Sequence, residues 1–172
     1  MDKISVLISK EAIETRIQEM ADKINQDYAG KEVHLVGILK GSVFFVCELA
    51  KRLTIPVTMD FMSVSSYGAG TESSGRVKIV MDLAESIKDK HVIIVEDIID
   101  SGNTLNYLMP VLSNRQPASM KLIALLDKPD RRVKEVPIDD VGLVIPDAFV
   151  VGYGLDYAQK YRNLPYIGIV EI

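Results

Sequence analysis

Residues Val92–Thr104 read VIIVEDIIDSGNT. The first four are all β-branched and apolar, with no polar alternation. Such a run predicts a strand buried on both faces. It closes on Glu96-Asp97, and two carboxylates at the end of a buried strand are costly unless something pairs with them. Small residues and Gly102 follow, just before a predicted helix over 104–114. A turn of that kind aims backbone amides and a helix N-terminus at an anion, and the hydroxyls of Ser101 and Thr104 add donors. The segment therefore offers a phosphate cradle beside acidic groups suited to sugar hydroxyls or a magnesium-bound pyrophosphate. An isolated Glu-Asp pair would more often be a solvated strand end. The whole ordered string favours a site, because each feature serves a different part of one phosphorylated sugar.

Working outward, the same alternation of elements recurs. Ser9 caps a first helix with Glu11 in its opening turn. Ile13, Ile17, Met20, Ala21, Ile24 and Tyr28 follow at helical spacing up to Gly30. Val33–Leu39 is a short apolar run ending in Lys40-Gly41-Ser42, which predicts a buried strand. A helix is expected over 44–53, strands over 57–67 and 77–82, and a glycine-bearing loop over 68–75 between them. Further strands are expected over 120–126, 149–153 and 167–170. Pro110 lies within the helix that starts at Thr104, where it removes a backbone bond; no function follows from it. Strands alternating with helices in near-continuous apolar runs predict an α/β fold with a mainly parallel central sheet flanked by helices. Ligands in such sheets bind beyond the carboxyl ends of the strands, and the polar clusters here all follow strands. With no repeat and no Pro/Gly-rich linker, residues 1–172 are read as one domain.

Composition narrows the function further. The 172 residues carry 20 Lys and Arg against 24 Asp and Glu, a net charge of −4. That balance argues against a nucleic-acid binder, which usually shows a basic face. The one cysteine, Cys47, lies in the apolar run 43–50 and reads as a small buried hydrophobe. Only His34 and His91 are available as imidazole bases, both at strand starts, which disfavours Cys–His and Ser–His catalysis. No Cys/His cluster suits zinc. Neither a signal peptide nor a membrane-length apolar stretch is visible, so a cytoplasmic location and no membrane partner are expected.

VIIVEDIIDSGNT resembles the signature with which type I phosphoribosyltransferases bind 5-phosphoribosyl-1-pyrophosphate (PRPP). Four more pieces match in the family's order: Leu39-Lys40-Gly41-Ser42, Ser65-Ser66-Tyr67, Leu125-Leu126-Asp127-Lys128-Pro129, and Phe149–Tyr157, reading FVVGYGLDY. The chain is most similar to the hypoxanthine-guanine branch in its bacterial form. The resemblance implies the type I phosphoribosyltransferase fold, with a small hood formed by the terminal regions. It implies a magnesium-dependent purine-salvage reaction of PRPP with a 6-oxopurine base. It implies too that Lys40 and Gly41 line a pyrophosphate loop entered through a non-proline cis peptide, and that Ser66 and Tyr67 begin a lid.

By the same resemblance, Glu96 and Asp97 hold the ribose hydroxyls, directly or through metal. Ser101, Gly102, Asn103 and Thr104 cradle the 5′-phosphate, and Asp100 is the candidate general base. Lys128 would donate to the exocyclic oxygen of the purine, Phe149 would stack on its ring and Val150 would meet it through the backbone. Asp156 would lie by the base and, with Glu96 and Asp97, by the metal and pyrophosphate. Arg162 would add charge for the leaving group. Relatives imply a homodimer or homotetramer. A regulator that kept the fold, an enzyme specific for xanthine, and a non-catalytic nucleotide-binding module are the rival readings. The preference among hypoxanthine, guanine and xanthine is left open.

Overall fold

The computed structural model describes residues 2–67 and 76–171. In chain order these are β1 (Lys3–Ile8), α1 (Lys10–Asp27), β2 (Val33–Leu39), α2 (Val43–Arg52), β3 (Val57–Tyr67), β4 (Arg76–Met81), β5 (His91–Ile99), α3 (Asn103–Ser113), β6 (Ser119–Asp127), β7 (Asp140–Val144), β8 (Val150–Val151) and β9 (Ile167–Glu171). A short 3₁₀ turn covers Pro129–Arg131. Six strands form one sheet in the order β4-β3-β2-β5-β6-β7. Within it only the β3–β4 pair is antiparallel. The terminal regions form a second, three-stranded antiparallel sheet, β1-β9-β8. This is the expected α/β fold, hood included.

The continuous apolar runs are explained by two buried faces. Leu35, Ile93, Val95, Ile123 and Leu125 point to the side that packs on α1, α2 and the hood. Val36, Ile38, Val92, Ile94, Leu122 and Ala124 point to the side covered by α3. Successive side chains alternate between faces, so a strand covered on both sides has no polar position to offer until it leaves the core. In β5 that happens at Glu96. The α1 helix follows the same logic: Ser9 accepts from the amide of Ala12 at 3.1 Å, and Ile13, Ile17, Met20, Ala21 and Ile24 are its buried stripe.

Some expectations require correction. Cys47 is exposed, not buried. It lies on the outer face of α2, whose buried stripe is Phe45, Val46 and Leu49; in a helix only one face of an apolar run reaches the core. The short strands β1 and β7 were not anticipated. β5 runs four residues past Val95, so Glu96 and Asp97 lie inside a strand and not at its end. The loop over 68–75 lies outside the described residues. Pro110 sits within α3 on its solvent side, where the missing amide breaks one helical bond without exposing the core.

Leu35 is fully buried. Leu35→Ala should cost about 2–5 kcal/mol in urea denaturation, whereas Val144→Ala, at an exposed strand end, should stay within about 0.5 kcal/mol. Equal losses in the two variants would contradict the assigned core.

Candidate active site

The site begins where β5 leaves the core. Glu96 is buried, and its Oε1 accepts from the Asp97 amide at 3.2 Å. Asp97 is half-buried, and its Oδ1 accepts from the amide of Ile98 at 2.7 Å. Burial first, and then the neighbouring Asp97 carboxylate, push Glu96 well above the ordinary carboxylate range. Burial also raises Asp97, against the lowering effect of its hydrogen bonds and of the Arg162 charge. Among the described residues no cation forms an ion pair with either acid, so the pair is poised to receive one, or hydroxyl donors, from a ligand.

Asp97 lies directly against the loop after β2. A side chain at Gly41 would overlap the Asp97 carboxylate, and one at Gly154 would overlap the carbonyl of Gly41. Gly154 has φ +102° and the Leu39–Lys40 peptide is cis, as expected. Three sequence-distant pieces thus meet at one point, the Asp97 side chain against the Gly41 backbone and the Gly41 backbone against that of Gly154, which only glycine permits at positions 41 and 154.

Beyond Ile99 the chain turns sharply. Gly102, at φ +85°, is the N-cap of α3 and offers no capping side chain. Ser101 Oγ accepts from the Asn103 amide at 3.3 Å. The first-turn amides of a helix lack intrahelical partners, and α3 carries no acid in its first turn, so this end suits an anion. A cleft of about 230 Å³ opens above it, lined by Ile38, Val64, residues 96–102, Thr104 and Leu105. One oxygen of Asp100, Oδ1, is shielded from solvent and has no hydrogen-bond partner among the described residues. Arg131 Nε stands 3.7 Å from it.

Two neighbouring loops carry the remaining expected residues. Lys128, Phe149 and Val150 do not line the cleft itself. Lys128 is buried, its amide donates to the carbonyl of Ile99 at 2.9 Å, and no carboxylate pairs with it among the described residues. Phe149 leaves 46% of its surface exposed, with Tyr157 edge-on at 5.5 Å; an exposed strand-end ring of this kind is available for stacking. Val150 is buried in β8. Both oxygens of Asp156 are engaged, one by Arg162 Nη2 at 3.3 Å and the other by the Gln159 amide at 2.8 Å. Arg162 Nη2 and Lys40 Nζ converge on Gln159 Oε1 at 3.2 and 3.5 Å, which brings the two expected pyrophosphate cations together. Ser66 and Tyr67 end β3, paired with Val77 and Arg76; their side chains are outside the described residues. Among the described residues no three or more His, Cys, Asp or Glu gather as a metal site.

A cis-entered glycine loop, a carboxylate pair and an open helix start around one cleft match a known family. Residues 7–158 fit the model of the phosphoribosyl transferase domain. The chain belongs to the phosphoribosyltransferase family. It is 49% identical over 171 residues to the hypoxanthine phosphoribosyltransferase of Salmonella typhimurium, covering 98% of this chain and 96% of that one. It is 51% identical over 166 residues, 96% of its length, to the bifunctional protein TilS/HprT of Listeria monocytogenes, of which it spans only 26%. The crystal structure of a hypoxanthine-guanine phosphoribosyltransferase from Bacillus anthracis superposes with a TM-score of 0.94 at 44% identity, covering 99% of this chain and 100% of that chain.

Two features of this phosphoribosyltransferase were not legible in the sequence. Gln159 sits in a turn of left-handed residues, with Ala158 and Tyr161, and no propensity marks such a turn without glycine. Arg132 is half-buried and donates to the carbonyl of Asp100 in the turn before α3, but nothing in Asp130-Arg131-Arg132 singles out the second arginine.

The raised pair sets a pH dependence. The native state holds the Glu96 and Asp97 protons more tightly than the unfolded chain, so stability falls as pH climbs from the ordinary Glu value of 4.5 through the native values, and then levels off. Glu96→Gln should match the wild type near about pH 4 and exceed it at about pH 7–8 in urea midpoints. A variant that declines with pH just as the wild type does would contradict the assignment.

Proposed function

We propose that the chain transfers the 5-phosphoribosyl group of PRPP to hypoxanthine or guanine, giving the nucleoside monophosphate and pyrophosphate. One observation carries this reading: a single turn, residues 96–105, lines the cleft with a buried carboxylate pair at one end and an uncapped helix start at the other. That polarity suits a sugar phosphate, with hydroxyls at the acids and phosphate at the amides. The family and the names of its relatives agree with it.

Residues 1–172 act as one catalytic unit in this reading. The bond between the anomeric carbon and the pyrophosphate oxygen breaks as a purine ring nitrogen attacks. Lys40 and Arg162 receive the departing pyrophosphate charge. The amides of residues 101–104 hold the 5′-phosphate, and Glu96 and Asp97 accept from the ribose hydroxyls. Asp100 Oδ1, which accepts no hydrogen bond among the described residues, takes the N7 proton of the base. Lys128, desolvated and without an ion pair among the described residues, donates to the purine 6-oxygen, while Phe149 stacks on the ring. A lysine donor disfavours adenine, whose 6-amino group is itself a donor. Positioning supplies most of the catalysis.

The donor set fits Mg²⁺, which keeps several waters and needs only one or two carboxylates when phosphate oxygens supply the rest. Glu96 and Asp97 would hold it, and Asp156 would join through lone pairs that Arg162 and the Gln159 amide leave free. Bound there, it would neutralise charge on the leaving pyrophosphate. A cytoplasmic homodimer or homotetramer completes the proposal. Among the described residues no helix is long and apolar enough to cross a membrane.

Purified protein supplied with PRPP and magnesium should convert hypoxanthine or guanine far faster than adenine, and no turnover of any 6-oxopurine would refute the proposal. Lys128→Ala should damage 6-oxopurine use while leaving PRPP affinity nearly unchanged. Asp100→Asn keeps the shape and removes the basicity, so kcat should fall roughly 10²–10⁴-fold. Loss of PRPP affinity with an intact single-turnover rate would instead make Asp100 a binding residue.

A further inference from the structure

Arg132 lies outside the cleft, yet it ties together the two loops on which the proposed chemistry depends. Its side chain and that of Asp127 are 13% and 14% exposed. Nη2 pairs with Asp127 Oδ1, and Nε donates to the carbonyl of Asp100 at 3.1 Å. Asp127 is the residue before Lys128, and it faces Ile99 across the β5–β6 ladder. The guanidinium therefore links Asp127, the last paired residue of β6, to Asp100, one residue past the last paired residue of β5.

The surrounding contacts make this a single block. The Lys128 amide bonds the Ile99 carbonyl, and the amides of Val133 and Lys134 both donate to the Ser101 carbonyl, at 2.8 and 2.9 Å. A side chain at Gly102 would overlap the Lys134 carbonyl. Backbone bonds thus hold Ile99 and Ser101, but the carbonyl of Asp100 between them is held by the Arg132 side chain.

We propose that Arg132 is a positioning residue that fixes the backbone of Asp100 relative to Lys128, so that a base placed at one is in register with the other. The proposal rests on the functional reading above. A planar fork with separate Nε and Nη donors is needed to reach both oxygens; a lysine ammonium is a point charge on a flexible stem and cannot serve both in this geometry. Losing the fork leaves a buried carboxylate short of its partner and frees the Asp100 peptide. Misplacement of a reacting group by about 1 Å typically costs on the order of a hundredfold in rate.

The test compares Arg132→Lys with wild type in amide hydrogen exchange, calorimetric PRPP binding with magnesium, and kinetics with hypoxanthine. The variant should speed exchange over 99–102 about tenfold while leaving the core amides of 92–95 unchanged. It should lower kcat roughly ten- to a hundredfold, with a smaller rise in the PRPP Kd. Asp127→Asn, which weakens the grip on the guanidinium, should shift the same readouts in the same direction by several-fold, and it carries the test if Arg132→Lys does not fold. A folded variant with local exchange and kcat within about twofold of wild type overturns the proposal. So does a uniform rise in exchange with unchanged kcat, which would make Arg132 a general stabiliser. If wild type binds PRPP but turns over no purine, the functional reading fails, and exchange over 99–102 still decides the role of Arg132.

Discussion

Two adjacent carboxylates inside a strand buried on both faces are the constraint around which this molecule is arranged. Glu96 and Asp97 follow four apolar residues that fill the core on both sides. Burial raises both acids, and no cation of the protein pairs with them among the described residues. A carboxylate pair in that position is unfavourable for folding alone. It makes sense as half of a site whose other half arrives with the ligand, and the neighbouring loops are shaped to that end. Gly41 is glycine because Asp97 occupies the space of a side chain, and Gly154 is glycine because the Gly41 carbonyl does.

The same geometry divides labour between the two sides of the cleft. On the side proposed for pyrophosphate, Lys40 and Arg162 converge on one amide oxygen of Gln159, a neutral acceptor standing between two cations. On the side proposed for the base, Lys128 is desolvated and Phe149 is left exposed, the reverse of what each residue type does by default. A lysine and a phenylalanine that exchange their usual environments beside one cleft are well suited to a planar, polar-edged ring. The turn between the two sides is braced by backbone bonds to residues 128–134, so its shape does not depend on ligand contacts alone.

Much of this was legible in the residues themselves. Val33–Leu39 and Val57–Tyr67 form strands with the expected bounds, because both are rich in β-branched and apolar residues and end at turn-forming ones. The turn at Ser101–Thr104 was legible because small residues and a glycine before a hydrophobic run mark a helix start. What was hidden depended on tertiary partners. β1 exists because β9 lies beside it, β7 because the edge of β6 is open to it, and each is too short to declare itself. Cys47 was misread because an apolar run does not say which helix face meets the core. The roles assigned to Lys128, Phe149 and Asp156 came from resemblance, since a lone strand-end lysine or phenylalanine carries no such signal.

The central claim is that ligand binds at the carboxyl ends of the parallel strands, on the turn from Glu96 to Leu105. Backbone amide NMR shifts during titration with PRPP and magnesium test it most directly. The account predicts that the largest changes fall at Gly41, at residues 97–104 and in the 152–162 segment. It predicts little change at His34, Lys90 and His91, at the opposite ends of the same strands. Changes concentrated at that opposite edge, or spread evenly over the sheet, would contradict it.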